Sequence, residues 1–137
     1  MTAETGKLIL AVDDDEGVRE FLTFLLKKLG HRVETAVDGE EAARKAVASR
    51  PDMIVLDLML PRYGGFELLH RLQQDMPHVP IVVVTGRYTD AATSDLIRQE
   101  PNVIDLIEKP HMDKRLPPAV ERGLALGRRD GAGAPEA

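Results

Sequence analysis

The chain of 137 residues has no cysteine and no tryptophan, and aromatic residues make up only 4% of it. Without cysteine it cannot use a thiol nucleophile, a cysteine zinc site or a disulfide framework. It also has no apolar run near the length of a membrane span, about 18 residues. The first apolar run, residues 8–12, is too short for a signal-peptide core and is followed by three aspartates. We therefore expect a cytoplasmic protein without a membrane partner.

Acidic residues outnumber basic ones, 23 to 18, and the formal net charge is -5 at pH 7. A nucleic-acid surface needs a concentrated face of lysine and arginine, so we expect no direct nucleic-acid contact. The length suits a single domain, and the hydrophobic fraction of 43% is that of a globular protein. We assign the domain to residues 1–126 and expect the Gly- and Ala-rich tail, residues 127–137, to be disordered.

Five short segments predict β-strands. Residues 8–12, 53–58, 81–84 and 103–107 are rich in valine and isoleucine, which is typical of strands that are buried on both faces of a sheet. Residues 31–37 alternate between apolar and polar positions and predict a half-exposed strand at a sheet edge.

Helical patterns separate the strands, at about residues 16–29, 39–49, 66–74, 90–99 and 117–126. Asp15 is a suitable N-cap for the first helix, and Gly30 is a suitable stop. Pro117 and Pro118 suit the first turn of the last helix, where a missing N–H costs nothing. Strict alternation of strand and helix predicts an α/β fold, a parallel sheet with helices on both faces.

Polar side chains stand where the predicted strands end. Asp13 and Asp14 follow the first strand, and Asp57 lies at the end of the third. Thr85 ends the fourth strand, and Lys109 follows the fifth. Because the carboxyl ends of the strands form the ligand crevice of an open α/β sheet, we expect these five side chains to meet there.

Three aspartates can lie close together only if a cation offsets their repulsion, because two like charges about 4 Å apart repel by about 4 kcal/mol at an effective dielectric of about 20. An all-oxygen cluster of this kind suits Mg²⁺. A metal, a lysine and a hydroxyl around one carboxylate form a phosphoryl-transfer arrangement. In it Asp57 is the nucleophile, Lys109 neutralises charge on the transferring group, and Thr85 bonds a phosphoryl oxygen.

A resemblance to the receiver domains of two-component response regulators rests on four segments in order, LILAVDDDEGVRE, VLDLMLPRYGGFELL, VVVTG and LIEKP. The matches cover about residues 7–126. The resemblance implies a flavodoxin-like, doubly wound (βα)5 fold whose parallel five-stranded sheet has the order 2-1-3-4-5. It also implies that Asp57 accepts a phosphoryl group from a histidine on a partner sensor kinase or phosphotransfer protein.

The same resemblance implies roles for the residues around Asp57. Mg²⁺ would be held by Asp13, Asp14, Asp57 and the backbone carbonyl of Met59. Thr85 and Lys109 would contact the acyl phosphate, and the bond between Lys109 and Pro110 would be cis. Residues 90–126 would supply the partner face.

One departure from the family pattern concerns the switch. Receivers usually carry Tyr or Phe three residues before the lysine, where this chain has Leu106, so ring rotation cannot be the switch at that position. Tyr88 is an alternative switch residue, although an exposed tyrosine at a helix entry is an equal interpretation.

Met59 and Arg87 occupy positions that tune hydrolysis in the family. An apolar Met59 cannot position the attacking water, which predicts slow self-dephosphorylation.

We therefore expect a stand-alone phosphoacceptor that signals to an unknown protein target and is not an enzyme in the usual sense. Two alternatives stay open. One is a receiver-like binding module that is never phosphorylated. The other resembles the haloacid dehalogenase phosphohydrolases, in which a DxD motif, here Asp13 to Asp15, follows the first strand.

Overall fold

The structure, a computed structural model, describes residues 6–60, 65–86 and 91–133. Its strands are β1 (Leu8–Val12), β2 (Arg32–Ala36), β3 (Met53–Asp57), β4 (Ile81–Thr85) and β5 (Val103–Glu108). Its helices are α1 (Glu16–Lys28), α2 (Gly39–Ser49), α3 (Gly65–Asp75), α4 (Ala91–Arg98) and α5 (Met112–Gly133), and a 3-10 turn, Lys109–His111, precedes α5.

The sheet is parallel throughout and has the order β2-β1-β3-β4-β5, which confirms the predicted α/β fold and strand order. Every residue of β3 and β4 is buried, because helices cover both faces of these central strands. One apolar cluster joins the sheet to α2, α3 and α4, and the other joins it to α1 and α5. Apolar burial on both faces therefore holds the central strands firmly in the sheet.

The ends of α1 follow from local chemistry. The Asp15 side chain accepts a hydrogen bond of 3.0 Å from the Val18 backbone N–H, which satisfies one of the donors that a helix start leaves open. After the helix, Gly30 adopts a φ of 98°, in the left-handed region that glycine enters without cost. Both features confirm the boundaries predicted for this helix.

The two edge strands differ from the interior ones. Strand β2 is mostly half-buried, as its alternating pattern predicts. Strand β5 was expected to be buried on both faces, but Val103, Ile104 and Asp105 are only half-buried. The reason is its position at the other edge of the sheet, where one side has no neighbouring strand.

The last helix is longer at both ends than its sequence pattern suggested. It begins at Met112, so Pro117 and Pro118 lie inside it and two of its i to i-4 hydrogen bonds cannot form. Leu116, Ala119 and Val120 are fully buried against the sheet, and this burial offsets the loss.

The far end of α5 lies beyond the helix end expected at about residue 126, because the helix continues to Gly133. The division into a domain of residues 1–126 and a tail of residues 127–137 stays a prediction. Residues 134–137 lie outside the described part of the chain. None of the helices within the described residues has the length and apolar character needed to cross a bilayer.

Candidate functional site

The residues expected to meet do come together at the carboxyl ends of the strands. Asp13 directly follows β1, Asp57 is the last residue of β3, and Lys109 directly follows β5. Thr85 ends β4, one ladder position beyond Val84, which pairs with Asp57. Asp13, Asp57 and Thr85 are buried, whereas Asp14 is exposed. The crevice therefore has a buried acidic floor and one solvent-facing carboxylate.

Three hydrogen bonds fix Asp13. Its backbone N–H donates to the Ala36 carbonyl at 3.1 Å, which extends the ladder between β1 and β2 by one residue. Its carbonyl accepts from Arg19 Nη1 at 2.9 Å, and its Oδ1 accepts from the Asp15 N–H at 2.9 Å. Sequence reasoning missed Arg19, because an arginine in the first turns of a helix has no pattern that separates it from a solvated one.

Asp57 is held from its own strand and from the next. The Leu58 N–H donates to the Val84 carbonyl at 3.0 Å, so the backbone stays in the sheet just past the carboxylate. The Met59 N–H donates to Asp57 Oδ1 at 3.1 Å. One carboxylate oxygen thus has a fixed backbone donor, which orients the side chain without help from a ligand.

Lys109 bridges the two buried carboxylates. Its Nζ lies 2.8 Å from Asp13 Oδ2 and 3.4 Å from Asp57 Oδ2. A Cβ atom placed on Gly86 would come within 3.6 Å of the Lys109 Cδ, so the lysine stem runs beside that glycine to reach the crevice. One positive charge therefore serves two negative ones, and the site keeps a net negative charge.

Burial and these charges shift the pKa values of Asp57 and Lys109. Burial raises the pKa of Asp57 from 3.8 to about 6; the Met59 N–H opposes this, the charge of Asp13 adds to it, and Lys109 also opposes it. Burial acts to lower the pKa of Lys109, but its close contact with Asp13 and the charge of Asp57 outweigh burial and raise that pKa above its usual value. At neutral pH the site therefore holds a protonated lysine and an ionised but poorly stabilised Asp57.

The acidic cluster has the donor chemistry of a Mg²⁺ site. Carboxylate oxygens of Asp13, Asp14 and Asp57 all lie within 4.8 Å of one another. The buried Asp13 Oδ2 has Lys109 Nζ nearby but no well-directed hydrogen bond, so it keeps a lone pair for a further ligand. An all-oxygen set with an under-satisfied buried carboxylate suits Mg²⁺, which prefers few carboxylates and several waters. The fourth ligand expected from the family, the Met59 carbonyl, stays a prediction.

The roles expected for the switch and tuning residues stay predictions. Leu106 is buried and packs in the cluster that contains Val83 and Ile97, so it is a core residue. The Met59 side chain is 59% exposed. Tyr88 and Arg87 lie outside the described residues.

The expected cis bond before Pro110 is wrong. No peptide bond among the described residues is cis, so the bond between Lys109 and Pro110 is trans. Pro110 stands in the first positions of the 3-10 turn, where its fixed φ suits a helical start. The ordinary preference of X-Pro bonds for trans is thus retained.

The geometry also bears on the phosphohydrolase alternative. That interpretation needs Asp13 and Asp15 to face one ligand, but the Asp15 side chain caps α1 by accepting from Val18. The cluster instead joins Asp13 and Asp14 to Asp57. Fold and cluster together define a flavodoxin-like α/β domain with an acidic crevice at the carboxyl ends of its strands.

Comparison with known proteins names the family. The profile of the response regulator receiver domain matches residues 9–121. The alkaline phosphatase synthesis transcriptional regulatory protein PhoP of Bacillus subtilis is 39% identical over 105 residues, 77% of this chain and 43% of that protein. The response regulator MprA of Mycolicibacterium vanbaalenii is 39% identical over 129 residues, 91% of this chain and 54% of that protein.

A solved structure agrees with these relatives. The CheY-like response regulator receiver domain protein from Methanospirillum hungatei superposes with a TM-score of 0.83 at 26% identity, covering 91% of this chain and 98% of that one. The chain belongs to the response regulator receiver domain family. It spans about half the length of PhoP and MprA.

Proposed function

We propose that the chain accepts a phosphoryl group on Asp57 from a phosphohistidine of a partner kinase or phosphotransfer protein, in a Mg²⁺-dependent reaction. The observation that carries this proposal is the buried Asp57 carboxylate, fixed by the Met59 N–H and placed 3.4 Å from Lys109 Nζ. A nucleophile must be deprotonated and aimed, and here the strand end aims it while a pKa of about 6 leaves it ionised at neutral pH.

In the transfer, a carboxylate oxygen of Asp57 forms a bond to phosphorus as the bond from phosphorus to the donor imidazole nitrogen breaks. The carboxylate loses its negative charge as the acyl phosphate forms, so Lys109 exchanges its interaction with Asp57 for one with the phosphoryl oxygens. Lys109 can make this exchange without leaving Asp13. The buried hydroxyl of Thr85, at the adjacent strand end, is proposed to bond a phosphoryl oxygen.

Asp13, Asp14 and Asp57 are the residues that would hold Mg²⁺. When bound, the ion would supply positive charge against both the carboxylates and the transferring group. The protein contributes the fixed positions of these oxygens: Asp13 through its three backbone-linked hydrogen bonds, and Asp57 through the sheet.

A groove beside Lys109 gives the donor a path to the crevice. It has a volume of about 630 Å³ and is lined by Val18 and Phe21 of α1 and by Pro110 and Met112 after β5. Its wall is largely apolar, which suits the side of a donor helix that carries the phosphohistidine. The groove therefore supports a protein donor, although a small phosphodonor needs only the crevice itself.

The test is direct labelling. Incubation with Mg²⁺ and acetyl phosphate should add one phosphoryl mass per chain, and Asp57→Asn should abolish the adduct. Failure to label with active donor present would favour the phosphorylation-independent binding module. Sustained turnover of a small phosphate ester, in place of a single adduct, would favour the phosphohydrolase.

The remaining assignments stay predictions. They are signalling as a stand-alone protein through residues 90–126, the absence of nucleic-acid contact, and the cytoplasmic location. The two regulators that match extend to about twice the matched length, so the stand-alone prediction is best tested on the protein as it occurs in the cell.

A further inference from the structure

Three arginines converge on one carboxylate at the edge strand β5. Asp105 lies 3.3 Å from Arg98 Nη1 at the end of α4, and its Oδ2 lies 3.1 Å from Arg115 Nη2 and 3.3 Å from Arg122 Nη2 on α5. Arg115 and Arg122 are two helical turns apart and so share one face of α5. This group of four residues, which we call the Arg98–Arg115–Arg122 cluster, has no role in the crevice.

The cluster carries more positive charge than it neutralises. Three guanidinium groups face one carboxylate, an excess of two positive charges in a chain whose net charge is -5. The arginine side chains are 50%, 46% and 55% exposed, whereas Asp105 is 14% exposed. In the part of the chain that the structure describes, every ion pair of these arginines ends on Asp105. The excess charge therefore faces solvent.

Among the described residues, the arginines of the cluster use few of their hydrogen-bond donors. Each guanidinium offers five N–H donors in a planar fork, but each reaches Asp105 through a single Nη atom. Asp105 is itself fixed to the strand, since its Oδ1 accepts from the Leu106 N–H at 2.8 Å. Exposed ion pairs contribute little to stability. A purely structural role, in which the ion pairs attach α4 and α5 to β5, therefore does not explain why three arginines share one carboxylate.

We propose that the Arg98–Arg115–Arg122 cluster is a docking site for an acidic segment of a partner protein. Each Glu or Asp carboxylate of such a segment can accept two hydrogen bonds from one guanidinium group. In the absence of the partner, Asp105 holds the three arginines close together. The inference rests on the output role proposed above for residues 90–126, and it adds the chemistry of the partner.

Charge complementarity favours an acidic protein segment over nucleic acid. Duplex binding needs an extended basic surface that follows many phosphates, whereas these arginines gather around one point with a carboxylate at its centre. The overall negative charge of the chain opposes a polyanion more strongly than it opposes a short acidic segment.

The test measures binding of a labelled, glutamate-rich peptide to the full chain at low salt by fluorescence anisotropy. Arg98→Ala, Arg115→Ala and Arg122→Ala should each weaken binding about fivefold, the upper range for an exposed ion pair. Arg44→Ala removes an exposed arginine from α2, remote from β5, and should leave affinity unchanged. Asp105→Asn should strengthen binding, because it removes the competing carboxylate. Raising the salt concentration should weaken binding of the wild type.

Four results would overturn the proposal: equal affinity in the arginine and Arg44 variants, weaker binding in Asp105→Asn, cluster-dependent binding of duplex DNA as tight as that of the peptide, or cluster-dependent self-association in sedimentation. Arg115→Gln serves in place of Arg115→Ala if the latter does not melt cooperatively. No phosphodonor is present in this assay, and each variant is also tested for acetyl phosphate labelling. A failure of peptide docking is thus separable from a failure of phosphorylation at Asp57.

Discussion

Replacing Asp57 with asparagine should stabilise the metal-free protein, although it removes the proposed phosphoacceptor. The carboxylate is buried, and burial raises its pKa from 3.8 to about 6. At about 1.4 kcal/mol for each pH unit, this shift corresponds to a cost of about 3 kcal/mol for the ionised form in the folded state. Asparagine avoids that cost and keeps an oxygen that can accept from the Met59 N–H.

The stabilisation expected in Asp57→Asn should depend on pH. Between pH 3.8 and about 6 the folded state holds more protons at Asp57 than the unfolded state does. The free energy of unfolding contributed by this group therefore falls as pH rises through that window and becomes constant above it. The cost is about 2 kcal/mol at pH 5 and about 3 kcal/mol at pH 8, a difference of about 1 kcal/mol.

The assay is urea unfolding of wild type and Asp57→Asn in EDTA at pH 5 and pH 8. The gain in the variant should be larger at pH 8 by about 1 kcal/mol, with unchanged m-values. Asp113→Asn removes an exposed carboxylate from α5 and should show no such gain. A variant that is less stable than wild type at pH 8, or a gain that is equal at the two pH values, would refute the account of Asp57 as a carboxylate held ionised against burial.

Four further predictions follow from the same geometry. Mg²⁺ at about a hundred times its Kd should stabilise the wild type by about 2.7 kcal/mol, seen as a higher Tm, and Asp14→Ala should reduce the shift because one cluster carboxylate is lost. Phe21→Ala should slow phosphotransfer from a protein donor but not labelling by acetyl phosphate, since Phe21 lines the groove and not the crevice. Met59→Asn should speed loss of the phosphoryl group after donor removal, because an amide can position the attacking water where methionine cannot. Arg50→Gly should raise the free energy of unfolding by roughly 0.5–1 kcal/mol in urea titration, because Arg50 adopts a φ of 49° after α2.

Each of these has a contrary outcome. A Tm that millimolar Mg²⁺ leaves unmoved would count against the metal site. Equal slowing of both phosphodonors in Phe21→Ala would place Phe21 in the chemistry of the crevice. Slower or equal dephosphorylation in Met59→Asn would remove the tuning role of that position, and a destabilised Arg50→Gly would show that the arginine side chain contributes more than its backbone strain costs.

The local sequence was sufficient to predict the crevice because a parallel α/β sheet imposes a simple geometry. All strands of such a sheet run the same way, so a residue at the end of any strand lies at the same edge. Valine- and isoleucine-rich runs therefore located Asp13, Asp57, Thr85 and Lys109 without knowledge of strand neighbours. The N-cap Asp15 was predictable for a similar reason, since its hydrogen bond to Val18 joins residues three apart.

Contacts between distant segments were decided only by the tertiary structure. The strand order places β5 at an edge of the sheet, where its first three residues are half-buried. Packing of Leu116 and Val120 against the sheet stabilises α5 despite its two prolines. The sequence does not predict the partners of Arg19 or of the Arg98–Arg115–Arg122 cluster. The packing angle of each helix decides which carbonyl or carboxylate lies within reach of its side chains. The sequence by itself thus determined the acidic crevice, through strand polarity. The tertiary structure decided how strongly burial perturbs Asp57 and which arginines surround Asp105, because both depend on the distances between elements that are remote along the chain.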